Sequence, residues 1–365
     1  MSFDAADHAA MSRALRLAEH GLETTTPNPR VGCVIVSADG RIVGEGWHQR
    51  AGSAHAEIAA LAQAGEAARG SSVFVTLEPC AHHGRTPPCA DALIAAGVAR
   101  VVSATRDPNP LVAGRGSERL HSHGIRTETG LLADQAHELN IGFFSRMTRG
   151  RPWVRLKAAA TLDGRTALDN GVSQWITGTA ARADGHRWRA RACAILTGIG
   201  TVLSDDPQLT VRDVPCVRQP WHVLVDARLE VPLDARLLRN GPCLIATAVS
   251  NPDKQARLAE LGAEVIVLPN PAGKVDLATL LLELGQRGCN ELHVEAGFKL
   301  NGSLMREGLV DELLLYLAPM LVGDHAIGIT NLNALSHLDD ATRLKLHDVR
   351  MVGDDVRMIA RLRNT

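Results

Sequence analysis

The sequence predicts an α/β protein of two domains, and three observations support this. The chain has 365 residues, a length that suits two domains of ordinary size. Strand-like and helix-like runs alternate along most of it, as in sheets covered by helices. An Arg, Gly and Pro cluster from Met147 to Pro152 interrupts the alternation and is typical of an exposed linker. We therefore expect one domain over residues 1–147 and a second over residues 150–365.

The first half is expected to form helices around a mixed sheet. Asp4 to His20 has the period of an amphipathic helix. Val31–Ser37 and Arg41–Trp47 resemble strands joined by Ala-Asp-Gly, which predicts a hairpin. Beyond them we expect two helices, the second ending at Gly97, and two strands: Ala56–Ala68, Ala90–Ala96, Ser72–Leu77 and Val98–Ala104.

The second half is expected to form a largely parallel sheet, because helical runs separate most of its strand-like runs. Those runs are Trp153–Ala159, Ala192–Thr197, His222–Asp226, Cys243–Thr247, Val265–Leu268, Glu291–Glu295 and Leu313–Ala318. Near the end, Leu344–Val352 and Val356–Leu362 flank a Gly-Asp-Asp turn and predict a closing hairpin.

Composition favours a small-molecule substrate and a cytoplasmic location. The formal net charge is −1 and there is no basic stripe, so a nucleic-acid partner is not expected. No apolar run is long enough for a membrane span, and the N-terminus lacks the apolar core of a signal peptide. The seven cysteines are irregularly spaced, which argues against a disulfide framework and leaves thiols for metal binding.

The strongest functional signal is a candidate zinc site. His55 and Glu57 form an H-x-E motif, and Cys80 and Cys89 each follow a proline. Zinc deaminases use one His and two Cys as ligands, with a nearby glutamate that is not a ligand. Three protein ligands leave a position for water, and Glu57 would move protons between that water and the departing amine. All three ligands precede predicted helical runs, whose N-termini favour thiolates.

Other interpretations remain open at this point. A lone buried cysteine or a histidine at a helix start is usually structural, although the combination seen here favours a metal. The chain could instead be a deaminase for cytidine, dCMP or tRNA adenosine fused to an unrelated domain. It could also be a binding module around a structural zinc, with His82 or His83 as a fourth ligand.

Motifs in both halves resemble the bifunctional riboflavin biosynthesis proteins, in the family's order. The first half carries TPNPRVGCVIV, GWHQRAGSAHAE, VTLEPCAHHGRTPPC and RDPNPLVAGRG, and the second carries LDGRTA, SQWIT, TVLSDDPQLTVR, VEAG and LVDELLLYLAP. The resemblance implies a cytidine-deaminase-like three-layer α/β/α domain followed by a dihydrofolate-reductase-like α/β domain. It further implies zinc-dependent deamination of a phosphoribosylaminopyrimidine, then NADPH-dependent reduction of the ribosyl chain to ribityl. A homodimer through the C-terminal domain is also implied.

The resemblance assigns further residues to each site. Deaminase substrate contacts would come from Asn28, His48, His82, Arg85, Asp107 and Asn109. The cofactor would contact Ala159, Trp175, Thr201, Asp205, Gly297, Phe298, Lys299, Leu300, Asn301, Gly302 and Ser303. The reductase substrate would contact Ser173, Arg189, Leu209, Arg212 and Glu295, with the two arginines as phosphate clamps.

The residues themselves say less about the second domain. It has no G-x-G-x-x-G fingerprint, so a Rossmann site is not supported. Gly198-Ile199-Gly200 and Gly297 each follow a strand-like run and could present backbone N–H groups to a phosphate. Asp205 is a candidate acid. Phe298 and Lys299 stand where the family usually has Pro-Thr. Lys299 could strengthen the contact with the cofactor phosphates, or Phe298 could crowd it.

Overall fold

The protein is described by a computed structural model that covers residues 3–81, 88–110 and 112–362. The chain divides into two compact units, Met1–Gly150 and Arg151–Thr365. None of the described helices is long and apolar enough to cross a lipid bilayer.

The N-terminal unit is built on a five-stranded sheet in the order β2-β1-β3-β4-β5. Strand β1 is antiparallel to both neighbours, whereas β3, β4 and β5 are parallel. The predicted hairpin and mixed pairing are therefore confirmed. The strands are β1 (Gly32–Val36), β2 (Ile42–Trp47), β3 (Ser72–Val75), β4 (Arg100–Ser103) and β5 (Arg126–Thr129).

Helices cover both faces of this sheet. They are α1 (Ala5–Glu19), α2 (Ala56–Ala64), α3 (Cys89–Ala96), α4 (Arg115–Ser122), α5 (Ala133–Leu139) and α6 (Ile141–Arg149), and a 3-10 turn, Gly65–Ala68, extends α2. Alternate strand residues point to opposite faces, so Cys33 and Ile35 join a core with α2 and α3, whereas Val34 joins one with α1 and α5. The result is three layers.

The predicted linker is partly wrong, because the last helix extends into it. Helix α6 runs through Arg149, and Gly150 ends it in the left-handed conformation at φ 71°. The buried side chain of Phe143 anchors this helix, and Arg149 donates to the Ser145 hydroxyl at 2.6 Å. The polar composition that suggested a linker therefore belongs to the last turn of a helix and its glycine C-cap.

The C-terminal unit contains a nine-stranded sheet in the order β11-β10-β9-β8-β12-β6-β13-β16-β15. The first seven strands in this order, from β11 across to β13, are parallel to their neighbours. The last two, β16 and β15, add an antiparallel hairpin, as predicted. A small separate ribbon pairs β7 with β14. The strands are β6 (Trp153–Thr161), β7 (Arg165–Ala167), β8 (Ala194–Gly198), β9 (Trp221–Val225), β10 (Cys243–Thr247), β11 (Ala263–Val267), β12 (Glu291–Val294), β13 (Glu312–Ala318), β14 (Ile327–Gly328), β15 (Leu344–Val352) and β16 (Asp355–Leu362).

The two faces of the large sheet differ in chemistry. One packs apolar side chains against α10 (Leu277–Gln286), α11 (Phe298–Arg306) and their flanking loops. The other carries buried charged groups, including Arg155, which is 1% exposed and bonds to Glu312 at 2.5 Å and Glu291 at 3.1 Å. Trp188 of α7 stacks over the Arg155 guanidinium at 4.3 Å, so α7 covers this charged layer. The helices are α7 (Thr179–Arg191), α8 (Ile199–Asp205), α9 (Pro252–Glu260), α10 (Leu277–Gln286) and α11 (Phe298–Arg306).

Candidate active sites

Three potential metal ligands meet in the N-terminal unit. The Nδ1 atom of His55 lies 3.2 Å from Cys89 Sγ and 3.7 Å from Cys80 Sγ, and all three ligand atoms lie within 4.8 Å of one another. Tetrahedral zinc with ordinary Zn–N and Zn–S bonds separates such atoms by about 3.5 Å. The observed distances lie on either side of that value, so these side chains fit a zinc ion.

The fold brings two of the ligands to helix starts. His55 is the N-cap of α2, and Cys89 is the first residue of α3 after Pro88. Cys80 lies in irregular backbone after β3, and the residues that follow Ala81, including His82 and Arg85, lie outside the described part of the chain. The backbone N–H of Cys89 donates to Cys80 Sγ at 3.3 Å.

The electrostatics of this cluster favour an anionic sulfur. Hydrogen bonds from the Cys89 thiol and from His55 hold the pKa of Cys80 below its ordinary value, although burial opposes them. The same thiol contact, together with burial, raises the pKa of Cys89. The first proton therefore leaves the pair readily, which helps metal binding because thiol ligands must be deprotonated.

Glu57 lies beside the ligands without being part of the cluster. It occupies the first turn of α2 and is only 3% exposed. Burial raises the pKa of Glu57 to about 7, and a hydrogen bond from the backbone is the main effect that opposes it. A carboxyl group in such surroundings can exchange protons near neutral pH.

Asn28 and His48 form a hydrogen-bonded pair next to this cluster. His48 Nδ1 lies 3.1 Å from the Ala54 carbonyl oxygen, which can only accept, so Nδ1 carries the proton. His48 Nε2 then accepts from the Asn28 amide at 3.0 Å. Burial lowers the pKa of His48, which fits this neutral form. The rings of His48 and His55 meet edge to face at 5.5 Å, so the pair adjoins the metal ligands.

Glu78 is a functional candidate that sequence reasoning missed. Its buried carboxylate accepts the backbone N–H groups of Asp107 at 3.3 Å, Gly114 at 3.0 Å and Ser117 at 3.0 Å. It thereby caps α4 and fixes the loop that contains Asp107 and Asn109, two predicted substrate contacts. The Asn109 N–H in turn donates to the Asp107 carboxylate at 2.9 Å. Only the position of Glu78 two residues before Cys80 could have suggested this role.

The C-terminal unit contains a cavity of about 1190 Å³ at the carboxyl ends of its parallel strands. It is large enough for a dinucleotide and part of a second ligand. Most residues predicted for the reductase line it: Ala159, Ser173, Trp175, Thr201, Asp205, Glu295, Gly297, Phe298, Lys299, Leu300, Asn301 and Ser303. Gly302, Arg189, Leu209 and Arg212 do not line it.

The beginning of α11 has the features of a cofactor site. Gly297 is the N-cap of α11, so the backbone N–H groups of the first turn are at the cavity and have no partner within the helix. The buried Oδ1 of Asn301, also in the cavity wall, has no hydrogen-bond partner among the described residues. Gly302 has a packing role, because a Cβ there would lie 2.3 Å from the Asn331 carbonyl oxygen. These features fit a dinucleotide cofactor.

A partly buried ion pair joins the cavity to the region of the predicted substrate arginines. Arg189 donates to both carboxylate oxygens of Glu295, at 2.5 and 2.8 Å, and to the Thr210 carbonyl oxygen at 2.9 Å. Burial alone would raise the pKa of Glu295, but Arg189 and Lys157 outweigh it and the pKa lies well below the ordinary value. Lys157 is a further missed residue; burial lowers its pKa, and it lines the cavity.

Leu209 and Arg212 lie on a neighbouring segment. Leu209 is buried and adopts a positive φ of 53°. Arg212 Nη1 contacts Thr210 Oγ1 at 3.0 Å, and its backbone N–H donates to His186 Nδ1 at 3.3 Å. Burial and the adjacent Arg189 lower the pKa of His186 to about 4, so this histidine is neutral.

Comparisons with known proteins cover both units. Residues 4–105 match the family of the cytidine and deoxycytidylate deaminase zinc-binding region, and residues 152–358 match the RibD C-terminal domain. The riboflavin biosynthesis protein RibD of Escherichia coli K12 is 48% identical over 362 residues, covering 96% of this chain and 98% of that protein. RibD of Haemophilus influenzae is 46% identical over 371 residues, covering 98% of each chain.

Solved structures agree with these sequence matches. Form 1 of Acinetobacter baumannii RibD has a TM-score of 0.91 at 44% identity and covers 98% of this chain and 99% of its own. A Thermotoga maritima diaminohydroxyphosphoribosylaminopyrimidine deaminase/5-amino-6-(5-phosphoribosylamino)uracil reductase has a TM-score of 0.87 at 32% identity, with the same coverage.

Both predicted fold classes are confirmed, and a deaminase fused to an unrelated domain is excluded, because the matches extend through both units. The chain belongs to the RibD family of riboflavin biosynthesis proteins, which joins a zinc-binding deaminase domain to a reductase domain.

Proposed function

We propose that the N-terminal unit, residues 1–147, deaminates 2,5-diamino-6-(5-phosphoribosylamino)pyrimidin-4(3H)-one. We propose further that residues 150–365 reduce the ribosyl chain of the product to ribityl with NADPH. The observation that carries the first step is the meeting of His55 Nδ1 with two cysteine sulfurs beside a buried glutamate. No nucleic acid takes part in this scheme.

The protein's contribution to deamination is to hold the metal and to move protons. We propose His55, Cys80 and Cys89 as the zinc ligands, and the metal, when bound, supplies Lewis acidity toward a water molecule. Glu57 accepts a proton from that water and delivers it to the departing amine, because its carboxyl group lies next to the ligands and is shielded from solvent.

Substitution of Glu57 by Gln tests this mechanism. We expect ammonia release from the authentic pyrimidine to fall by about 10²- to 10⁴-fold, the usual contribution of a general acid–base group. Zinc content, measured by mass spectrometry, and NADPH oxidation with pre-formed aminouracil should be retained. Glu66→Gln, on the exposed 3-10 turn after α2, is the matched control. Normal deamination by the Glu57 variant would contradict the mechanism.

The deaminase substrate is proposed to contact Asn28, His48, Asp107 and Asn109, together with His82 and Arg85. Because His48 is protonated at Nδ1 and takes a hydrogen bond from Asn28, the amide of Asn28 is held in one orientation and can discriminate donors from acceptors. We expect Asn28→Asp to raise the KM for the pyrimidine, because a carboxylate cannot donate to His48.

Reduction is proposed to take place in the 1190 Å³ cavity. NADPH supplies the hydride, and the chain positions the two ligands and excludes water. Because Arg189 is engaged by Glu295 and Thr210, we assign its main role to holding Glu295 and assign the substrate phosphate chiefly to Arg212. Arg212→Gln should raise the KM for the phosphorylated aminouracil and leave that for its dephosphorylated form unchanged, as steady-state kinetics would show.

We propose a homodimer formed through the edge of the large sheet. Leu346, Val349 and Met351 of the edge strand β15 are 57%, 54% and 62% exposed. They pair with alternate residues of β16 and so share one apolar face. A second copy of the chain is the natural partner for such a face. Val349→Lys should give monomers by ultracentrifugation, whereas Lys345→Gln, on the opposite face, should not; a dimeric Val349 variant would refute this interface.

We also propose a cytoplasmic location. None of the seven cysteines forms a disulfide in the structure, and two of them belong to the proposed metal site. Free thiols of this kind persist in a reducing compartment. Cell fractionation with an antibody to the chain would test this, and recovery in an oxidising compartment would contradict it.

A further inference from the structure

Asn28 lies in an irregular loop, residues 25–31, between α1 and β1. Within the loop, the Asn28 N–H donates to the Thr25 carbonyl oxygen at 2.8 Å, and the Thr25 hydroxyl donates to the Gly21 carbonyl oxygen at 3.2 Å. These bonds close a turn and tie its start to the end of α1. The placement of the Asn28 amide beside the metal ligands therefore depends on contacts with other elements.

The end of the loop is held by the junction of α5 and α6. Asn140, the N-cap of α6, is 1% exposed, and its side chain accepts the Arg30 N–H at 2.8 Å and donates to the Arg30 carbonyl oxygen at 2.9 Å. The Arg30 guanidinium donates to the carbonyl oxygens of Leu139 at 2.7 Å and Leu22 at 3.0 Å. Because these groups are buried, the loss of one partner would leave the other unsatisfied.

Helix α6 contacts the loop a second time, on the other side of Asn28. Nη2 of Arg146 donates to the Pro27 carbonyl oxygen at 2.8 Å. The Arg146 guanidinium also lies 5.8 Å from the centre of the Phe143 ring, whose buried side chain anchors the helix. One helix and its N-cap therefore hold the residue before Asn28 and a residue two positions after it.

The hydrogen bond between Asn28 and His48 is sensitive to the position of this loop. His48 is fixed independently, because its backbone N–H donates to the Val31 carbonyl oxygen at 2.9 Å and its Nδ1 lies 3.1 Å from the Ala54 carbonyl oxygen. The Asn28 amide meets His48 Nε2 at 3.0 Å. A separation of about 3.6 Å is too long for a hydrogen bond, so a loop shift of about half an ångström would break this one.

The residues that hold the loop lie outside the part of the chain that carries the metal cluster. The match to the cytidine and deoxycytidylate deaminase zinc-binding region covers residues 4–105, and the match to the RibD C-terminal domain covers residues 152–358. Asn140 and Arg146 lie between these two matches, whereas all three proposed metal ligands lie within the first. The metal cluster and the support of Asn28 can therefore be perturbed separately.

We propose that Asn140 and Arg146 are positioning residues for the deaminase substrate. They hold the loop on both sides of Asn28, so that its amide keeps one orientation beside His48 and selects the pyrimidine. This role rests on the proposed deaminase function. Because the two residues support a binding group and neither the metal ligands nor Glu57, their loss should raise KM far more than it lowers kcat.

Ammonia release by the full-length protein from the proposed pyrimidine tests this role. Arg146→Gln should raise KM by roughly 2- to 10-fold, and Arg146→Lys, which keeps a donor for Pro27, should recover most of the loss. Asn140→Asp places an oxygen against the Arg30 carbonyl oxygen and should raise KM by roughly 10- to 100-fold. Zinc content should be unchanged in each. Arg149→Gln removes the same charge from the same helix, at an exposed position, and should leave KM unchanged.

A double-mutant cycle separates positioning from a general effect on the fold. If Arg146 acts through Asn28, Arg146→Gln should change kcat/KM little in an Asn28→Ala background, where progress curves give kcat/KM even for a slow enzyme. The Arg146 variants test the proposal even if Asn140→Asp does not fold, because the Arg146 side chain is only partly buried.

Three results would overturn the positioning role: an equal loss in both backgrounds, an unchanged KM for Arg146→Gln, or a loss of zinc in parallel with activity. In each case the proposed deaminase function would survive. If the unmodified protein releases no ammonia from the pyrimidine, the proposed function itself fails.

Discussion

Substitution of Glu78 by Gln gives a specific prediction, because the Glu78 carboxylate holds together the loop that carries the proposed deaminase substrate contacts. In the Gln variant, one of the two side-chain oxygens becomes an amide N–H group. If the remaining oxygen keeps Asp107 and Gly114, the Ser117 N–H, which donates at 3.0 Å to the other oxygen, then faces a donor. A buried donor without an acceptor costs about 1–3 kcal/mol. The loop should loosen, while the metal ligands, which lie outside residues 107–117, stay in place.

The assay separates substrate binding from metal binding. For Glu78→Gln we expect the deaminase KM to rise by roughly 5- to 150-fold, the same free energy expressed as affinity, with zinc content unchanged and reduction of pre-formed aminouracil unaffected. Glu118→Gln, an exposed position on α4, removes the same charge without touching the loop and serves as control. Loss of zinc in parallel with activity, or an unchanged KM, would refute the reasoning.

The remaining predictions concern the metal, pH and packing. Chelation should abolish ammonia release and leave NADPH oxidation on the aminouracil nearly intact; parallel loss of both would argue against independent sites. A hydrogen bond from Arg100 lowers the pKa of Asp7, so this contact stabilises the folded unit above the ordinary carboxyl pKa and is lost as pH falls through the lowered one. Arg100→Gln should flatten that acid-side decline in calorimetry. Gly116→Ala should destabilise the deaminase unit by about 1–3 kcal/mol, because the new Cβ would lie 1.9 Å from the Pro79 carbonyl oxygen; an unchanged melting temperature would contradict this.

Local patterns predicted most of the elements because each is specified by neighbouring residues. The amphipathic period beginning at Asp4 gave a helix whose N-cap is that aspartate, with its side chain accepting from Asp7 N–H at 2.8 Å. The apolar run at Cys243–Thr247 is a strand with those bounds. Gly97 ends α3 in the left-handed conformation. These features depend on propensity and capping, which are visible in a short window of sequence.

Contacts between distant parts of the chain were beyond such reasoning. The side chain of Asn140 pairs with the backbone of Arg30, 110 residues away in sequence. It accepts the Arg30 N–H at 2.8 Å and donates to the Arg30 carbonyl oxygen at 2.9 Å. The Arg189–Glu295 ion pair joins residues 106 positions apart. The sequence alone does not show whether an arginine on a helix binds a phosphate or a carboxylate. Its role can therefore be assigned only when the fold is known.

The deaminase site also depends on residues that carry no chemistry. Gly44 and Gly46 of β2 face α2, and a Cβ at these positions would lie 2.2 Å from the Ala60 carbonyl oxygen and 2.5 Å from that of Ala56. Any side chain there would push α2 away from the sheet. Since His55 caps this helix and Glu57 lies in its first turn, the same displacement would move the metal ligand and the proposed proton carrier together. The spacing of two strand glycines therefore belongs to the active site as much as the ligands do.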